Sequence, residues 1–280
     1  MAHHPPRIEE LFTSGLSAHW IQTLAGSGRL DTADGALRLE LPSASARRYS
    51  NAQIDDYSGK RASQYPWRPP LRLRVRARAS HPAQPFGSDS TKGEQKWLRG
   101  TAGFGFWNAP FTLAGGGLRL PDALWFFAAS QPSRMALTAD GQPYGWKAQV
   151  VHARRPGALM AAPPLAISAL WARLSGDVHS AARWMERMTG AVETPLDATT
   201  ADLRQWREYE IEWLPQRVRF LVDGREILAV LDPPGGPLGF VAWIDNQYAV
   251  ATPRGELRFG ALDCEPQWLE LSALSIESLG

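Results

Sequence analysis

Between residues 70 and 80 the chain reads PLRLRVRARAS. Leu71, Leu73, Val75 and Ala77 alternate with Arg72, Arg74, Arg76 and Arg78, and a period of two belongs to a strand with one apolar and one wet face. A face of four arginines could bind anions. The simpler expectation is a solvated sheet surface whose arginines pair with acids on neighbouring strands.

The same rhythm recurs along the chain, broken by Gly, Pro and Asp. ALRLEL (36 to 41) follows a turn containing Asp-Gly, TAGFGFW (101 to 107) and ALWFFAAS (123 to 130) read as strands, and HPAQPFGSDSTKGEQK (81 to 96) reads as a long loop. ALWFFAAS is apolar on both faces and belongs in the middle of a covered sheet. The pattern predicts an all-β chain, an antiparallel jelly-roll β-sandwich, in one domain over 1 to 280. The rhythm breaks once, between about 157 and 195. There Ile167, Leu170, Trp171 and Leu174, then Val178, Ala181, Met185 and Met188, follow helical spacing, with Gly176 and Asp177 between. This predicts an inserted helical hairpin, packed on the sandwich flank or covering the mouth of a groove.

EYEIEW (208 to 213) places Glu208, Glu210 and Glu212 on one face of a strand. Glycosidases use clustered carboxylates as acid and nucleophile. The following WLPQRVRFLVDGREI predicts a hairpin about Leu214-Pro215, pairing Ile211 with Val218, Tyr209 with Phe220, Glu212 with Arg217 and Glu210 with Arg219, and then an Asp223-Gly224 turn of the primed type. A carboxylate facing an arginine has its pKa lowered and is a poor general acid. The three glutamates are therefore predicted to be structural.

The stretch WREYEIEWLPQRVRFLVDG resembles a late segment of the family 16 glycoside hydrolases, the laminarinase and lichenase group of the concanavalin A-like lectin/glucanase superfamily. QWLELSALSIES resembles their closing strand, and GFGFWNAP falls where a strand precedes their active-site strand. The resemblance spans residues 100 to 278 loosely and is most specific over 206 to 227. It implies a curved two-sheet jelly roll that binds ligand on its concave face. The family's Glu-x-Asp-x-Glu motif would stand in DALWFFAAS, which contains no Glu, and no Glu anywhere in the chain has an Asp two residues later. Retaining hydrolysis needs two carboxyls about 5 to 5.5 Å apart. The strand supplies no such pair, Asp122 at its edge being the one carboxylate, so standard glucanase activity is not expected. The family also carries a structural calcium on its convex side. Ser272 and Ser275 stand where an acidic ligand would be expected, so calcium stays open and no cofactor is implied.

Composition narrows the partners. Thirty Lys+Arg against 28 Asp+Glu leave a net charge of +2, and no basic block is interleaved with aromatics, so nucleic acid is not an expected partner. MAHHPPRIEELFTSG has no apolar h-region and no later run approaches the roughly 18 apolar residues of a membrane span, which predicts a cytoplasmic protein without a span. One cysteine, Cys264, excludes an internal disulfide, and the dispersed histidines suggest no metal site.

Twelve tryptophans exceed what a sandwich core readily absorbs, and aromatics lining a groove would account for the surplus. Three stretches join an aromatic platform to polar ends. They are FWNAP (Trp107, Asn108), PYGWKAQ (Tyr144, Trp146, Lys147, Gln149) and AWIDNQY (Trp243, Asp245, Asn246, Gln247, Tyr248). Trp125 shares a strand face with Phe127, and at least two of Trp107, Trp125, Trp146 and Trp243 are predicted to line one concavity with Asn246 or Tyr248. Asp55 and Asp56 point to opposite faces, so at most one could reach the groove rim. Two functions fit these residues. One is a binder of a carbohydrate or glycosylated small molecule in the Trp-lined groove. The other is an intracellular enzyme of isomerase, cyclase or lyase type acting on an apolar small molecule, with Asp245, Lys147 and Tyr248 as proton-transfer candidates and the helical hairpin as lid.

Overall fold

A computed structural model describes residues 7–88, 96–109, 121–134, 138, 141–153, 190–197, 202–251 and 257–279. The helical hairpin expected within 157 to 195 lies outside them, apart from its last few residues. Among the described residues the chain forms strands β1 (Ile8–Glu10), β2 (Ile21–Ala25), β3 (Arg29–Ala33), β4 (Ala36–Leu41), β5 (Asn51–Asp55), β6 (Leu71–Ala79), β7 (Thr101–Trp107), β8 (Asp122–Ala129) and β9 (Gly145–His152). They are followed by β10 (Val192–Pro195), β11 (Arg207–Trp213), β12 (Arg217–Val222), β13 (Arg225–Leu231), β14 (Gly239–Asp245), β15 (Gln247–Ala251), β16 (Leu257–Ala261) and β17 (Gln267–Ser278). One 3-10 turn, Ala62–Gln64, is their only helical element. None of the described residues forms a helix long and apolar enough to cross a membrane.

Two antiparallel sheets make the sandwich. One runs β13-β12-β11-β6-β17-β4-β3, with β1 also on β17, and the other runs β10-β9-β8-β7-β14-β5-β2. A separate ribbon joins β15 to β16. The inner face of the first sheet supplies Leu37, Leu39, Leu41, Leu71, Leu73, Val75, Tyr209, Ile211, Trp213 and Phe220, all buried. The inner face of the second supplies Phe104, Phe106, Leu124, Phe126, Trp146, Ala148, Phe240 and Ile244. Phe126 meets Tyr209 at 5.0 Å and Phe220 at 5.4 Å, so aromatic edges interlock across the layer. In β17 the inward residues change phase from Leu269 and Leu271 to Leu274 and Ile276. A bulge between Leu271 and Ala273 absorbs the extra residue and keeps both halves facing the core.

On the outer face of the first sheet the arginine and glutamate rows face each other. β11 lies beside β6, pairing Arg72 with Glu212, Arg74 with Glu210 and Arg76 with Glu208. Glu210 accepts from Arg74 Nε at 2.9 Å and lies in an ion pair 3.0 Å from Arg72 Nε, and Glu212 accepts from Arg72 at 3.0 Å and Arg219 at 3.4 Å. The Arg72 guanidinium, seconded by Arg219, holds the Glu212 carboxyl below its ordinary range. The β11–β12 register departs from the expected one by two residues: Ile211 pairs with Phe220, Tyr209 with Val222 and Glu212 with Arg219. The turn centres on Pro215 and Gln216, closed by Leu214 N–H donating to the Arg217 carbonyl. Proline's fixed φ suits the first central position of a turn, and moving the centre by one residue moves the register by two. The next turn is of the primed type, with Asp223 at φ 49° and Gly224 at φ 77°.

Candidate functional site: an indole platform on a glycine floor

The outer face of the seven-stranded sheet is built in rows across the strands. One row runs Glu193, Gln149, Trp125, Gly105, Val241, Asp55, and the next runs Lys147, Phe127, Gly103, Trp243, Gln53, Thr23. In GFGFW the phenylalanines enter the core while Gly103 and Gly105 face out, leaving the middle strand bare. A Cβ on Gly103 would fall 3.0 Å from the Trp243 ring, and one on Gly105 would fall 2.7 Å from Trp125 Cβ. The indoles from the flanking strands meet over this floor, Trp125 and Trp243 with ring centroids 5.5 Å apart. Trp107 adds a third indole 5.7 Å from Trp125, and Phe127 stacks on Trp125 at 5.8 Å. Tyr57, Tyr65 and Tyr144 join the same apolar cluster from adjoining loops. Trp107 and Trp125 stay half-buried, whereas Trp243 is 9% and Phe127 5% exposed.

Polar groups border the indoles at both ends. Trp125 Nε1 donates to Gln149 Oε1 at 2.8 Å, and Gln149 Nε2 donates to Glu193 Oε2 at 2.6 Å. The same Glu193 oxygen receives Lys147 Nζ at 2.9 Å, and these two charged side chains are 1% and 2% exposed. Burial holds the Lys147 ammonium below its usual pKa, with Glu193 pulling the other way. At the other end Asp55 is saturated: it accepts from the Tyr57 and Ser58 amides, the Ser58 and Thr23 hydroxyls and Gln53 Nε2. Trp243 Nε1 donates to Thr101 Oγ1 at 2.9 Å.

Trp107, Trp125, Trp243, Lys147 and Gln149 thus come together, and other expected site residues lie elsewhere. Trp146 alternates with Lys147 and points into the core, 5.9 Å from Phe104. Asn108 accepts the Asp122 amide where β7 meets β8. The Tyr144 hydroxyl accepts from Gly87 N–H and Gln131 Nε2. Asn246 is fully buried, donating to the Ser45, Arg48 and Leu262 carbonyls and accepting from Ser50 N–H, so it satisfies the backbone of a corner. Gln247 and Tyr248 stand on the β15–β16 ribbon, where Gly260 leaves room for the Tyr248 ring. Asp245 accepts from the Thr101 amide and hydroxyl, the Gln247 amide and the Tyr49 hydroxyl. Burial raises its pKa to about 6, with the Gln247 amide and Thr101 opposing. Asp56 turns away from Asp55, receives Trp67 Nε1 and Phe240 N–H, and is pushed up to about 7 by burial. Asp122 falls by alternation on the core side of β8 and pairs with His152 at 3.2 Å. Among the described residues no three His, Cys, Asp or Glu side chains gather as a metal site.

Glu193, Gln53, Gly103 and Gly105 belong to the assembly and were absent from the sequence-derived candidates. The glycines carried a signal, since Gly-Phe-Gly-Phe puts the aromatics on one face and nothing on the other. Glu193 carried none, because only the pairing of β10 with β9 brings it to Gln149 and Lys147.

No family model matches the chain, and no curated protein matches it. Solved structures do. A β-1,3-1,4-glucanase (lichenase) derived from a mouse hindgut metagenome superposes with a TM-score of 0.52 at 14% identity, over 98% of this chain and 100% of that one. One of the endo-acting O-glycanases that human gut microbiota express to initiate mucin breakdown gives 0.53 at 11%, over 98% and 99%. The Crh5 transglycosylase gives 0.51 at 9%, over 99% and 86%. The fold is the concanavalin A-like jelly roll of family 16-type glucanases and transglycosylases. At these identities the likeness is one of fold.

Proposed function

We propose that this protein binds a carbohydrate or glycosylated small molecule across the outer face of its seven-stranded sheet, and does not cleave β-glucans by the paired-carboxylate route. The observation that carries this reading is Trp125, half-buried between Trp107 and Trp243 over a floor with no side chains. Half-exposed indoles with polar groups at their edges suit the apolar faces and hydroxyl rims of sugar rings. The fold neighbours act on glycans, which agrees with it.

Carboxylate spacing supports the second half. Outward positions on β8 hold Ala123, Trp125, Phe127 and Ala129, where alternate carboxylates would have to stand. Among the described residues, Glu193 and Asp55 lie five strand spacings apart, about 24 Å, and Asp245 and Asp55 about 14 Å, well beyond the roughly 5 to 9.5 Å of either glycosidase geometry. A small-molecule enzyme is the second reading, favoured by Lys147, whose ammonium lies 6.0 Å from the Phe127 ring and titrates below its usual range.

Titration with neutral β-1,3 and β-1,3-1,4 gluco-oligosaccharides and O-glycan oligosaccharides, followed by tryptophan emission, tests the proposal. Saturable binding weakened at least about tenfold by Trp125→Ala, with no release of reducing ends, is the expected result. Turnover of a glucan by the wild type, whether or not it survives Asp122→Asn and Glu193→Gln, refutes the noncatalytic half. Failure of the whole panel to bind refutes the carbohydrate half.

A further inference from the structure

Two glutamines flank the indole platform, and each has a carboxylate behind it. Gln149 Nε2 donates to Glu193 at 2.6 Å and Gln53 Nε2 donates to Asp55 at 2.9 Å. A carboxylate accepts and does not donate, so each partner forces the amide nitrogen toward itself and turns the amide oxygen the other way. At Gln149 the oxygen so presented takes the Trp125 indole N–H at 2.8 Å. At Gln53, which is half-buried and pairs across the strands with Trp243, the same device turns Oε1 away from Asp55.

We infer that Gln53 is a specificity-determining residue of the site, accepting a hydrogen bond from a hydroxyl of a neutral sugar stacked on Trp125 beside Trp243, and that Asp55 and Glu193 are positioning residues that set the polarity of the two amides. The inference rests on the carbohydrate reading and sharpens it. The platform presents an acceptor at the Gln53 end, so it selects a group that donates there over an ether or carbonyl oxygen at the same place. Glu193 acts at the opposite end: by fixing Gln149 it fixes the edge of the Trp125 ring that points along the sheet. The two carboxylates therefore orient the binding face without touching the sugar. The Lys147 ammonium neutralises Glu193, and Asp55 has its charge spread over five donors, so neither presents a free charge to the platform.

The test uses Gln53→Met, which keeps the length and bulk of the side chain and removes Oε1. Asp55 keeps its four other donors, so the melting temperature is expected to stay near that of the wild type. With the neutral oligosaccharide panel and its monodeoxy analogues as probes, Gln53→Met is expected to weaken binding of one parent sugar about tenfold, the size of one lost hydrogen bond with its partner left unpaired. It is also expected to bind the parent and one monodeoxy analogue equally, whereas the wild type discriminates between them. Wild-type binding that Trp125→Ala abolishes and Gln53→Met leaves within twofold overturns the role of Gln53 and leaves the platform standing. Absence of wild-type binding to every sugar removes the platform reading and this inference with it.

Discussion

The Lys147–Glu193 pair at the edge of the platform places two charges almost wholly out of water. Glu193→Gln removes the negative charge that faces Lys147 Nζ at 2.9 Å, while the carbonyl of Gln142 still accepts from that ammonium at 2.9 Å. Both side chains are almost wholly out of water, so the remaining charge cannot recover its hydration. Breaking such a pair from one side costs about 3 to 5 kcal/mol. A glutamine retains one acceptor for Nζ, which places the expected loss near about 3 kcal/mol. The sign of the pH dependence follows from Lys147. Burial lowers its folded-state pKa and Glu193 raises it, so in the variant it falls further below the unfolded value. Between those two pKa values the unfolded chain binds the extra proton, and stability rises with pH. The deficit relative to wild type should therefore shrink from pH 7 toward pH 10. Adding Lys147→Met to Glu193→Gln removes both charges and should recover most of the loss. Urea unfolding followed by far-UV circular dichroism measures all three. A loss under about 1 kcal/mol that does not vary with pH would show that water reaches the pair and that the positioning argument lacks its anchor.

Three further outcomes are expected. Glu210→Gln, on the opposite face of the sandwich, should leave sugar binding unchanged and shift stability by no more than about 1 kcal/mol, because its carboxylate meets Arg72 and Arg74 at a partly solvated surface; a hundredfold loss of function with the fold intact would contradict this. Gly105→Val should disrupt the platform, since the new Cβ would lie 2.3 Å from the Leu124 carbonyl oxygen and 2.7 Å from Trp125 Cβ at a φ of 149°; a normal melting temperature together with normal sugar affinity would contradict the close approach of β7 and β8. The folded-state pKa of Asp56, about 7, exceeds its unfolded value, so its neutral form stabilises the protein at low pH and that contribution is lost as pH rises through 4 to 7; Asp56→Asn should flatten this part of the stability profile, and an unchanged slope would contradict it.

Faces were legible in the sequence where a period of two stood alone. The arginine row on β6 and the glutamate row on β11 each announced a wet side, and the structure places them against each other. Registers were less legible, because they depend on where a turn centres. Pro215 could be read as the second central residue or the first, and that choice moved every expected pair on β11 by two. The two-faced apolar strand 123 to 130 was legible as covered, and it lies third in a seven-stranded sheet. What its outer face meets required the strand order, since Trp243 reaches Trp125 only because β7 between them is glycine on that side. The polar run Asp245 to Tyr248 misled for a physical reason: side chains able to bind a ligand are equally able to satisfy buried backbone at a corner, and Asn246 makes four such bonds. Alternation puts Trp146 and Lys147 on opposite faces, and the structure turns the Trp146 indole, an expected groove residue, into the core.

Of the twelve tryptophans, Trp20, Trp67, Trp146 and Trp213 are in the core, Trp107, Trp125 and Trp243 form the platform, and Trp206 and Trp268 lie under arginines on the other sheet. The core alone does not account for them, as composition suggested. Trp97 borders a cleft of about 450 Å³ with Phe86 and Trp146, and Trp171 and Trp184 lie outside the described residues.

A crystal structure of the protein soaked with the oligosaccharide that binds best in solution tests the central claim most directly. A sugar ring stacked on Trp125 beside Trp243, with a hydroxyl within hydrogen-bonding distance of Gln53 Oε1 and an intact glycosidic bond over the glycine floor, is the predicted result. Density for that sugar on another surface, or for a cleaved product held between two carboxylates, would contradict it.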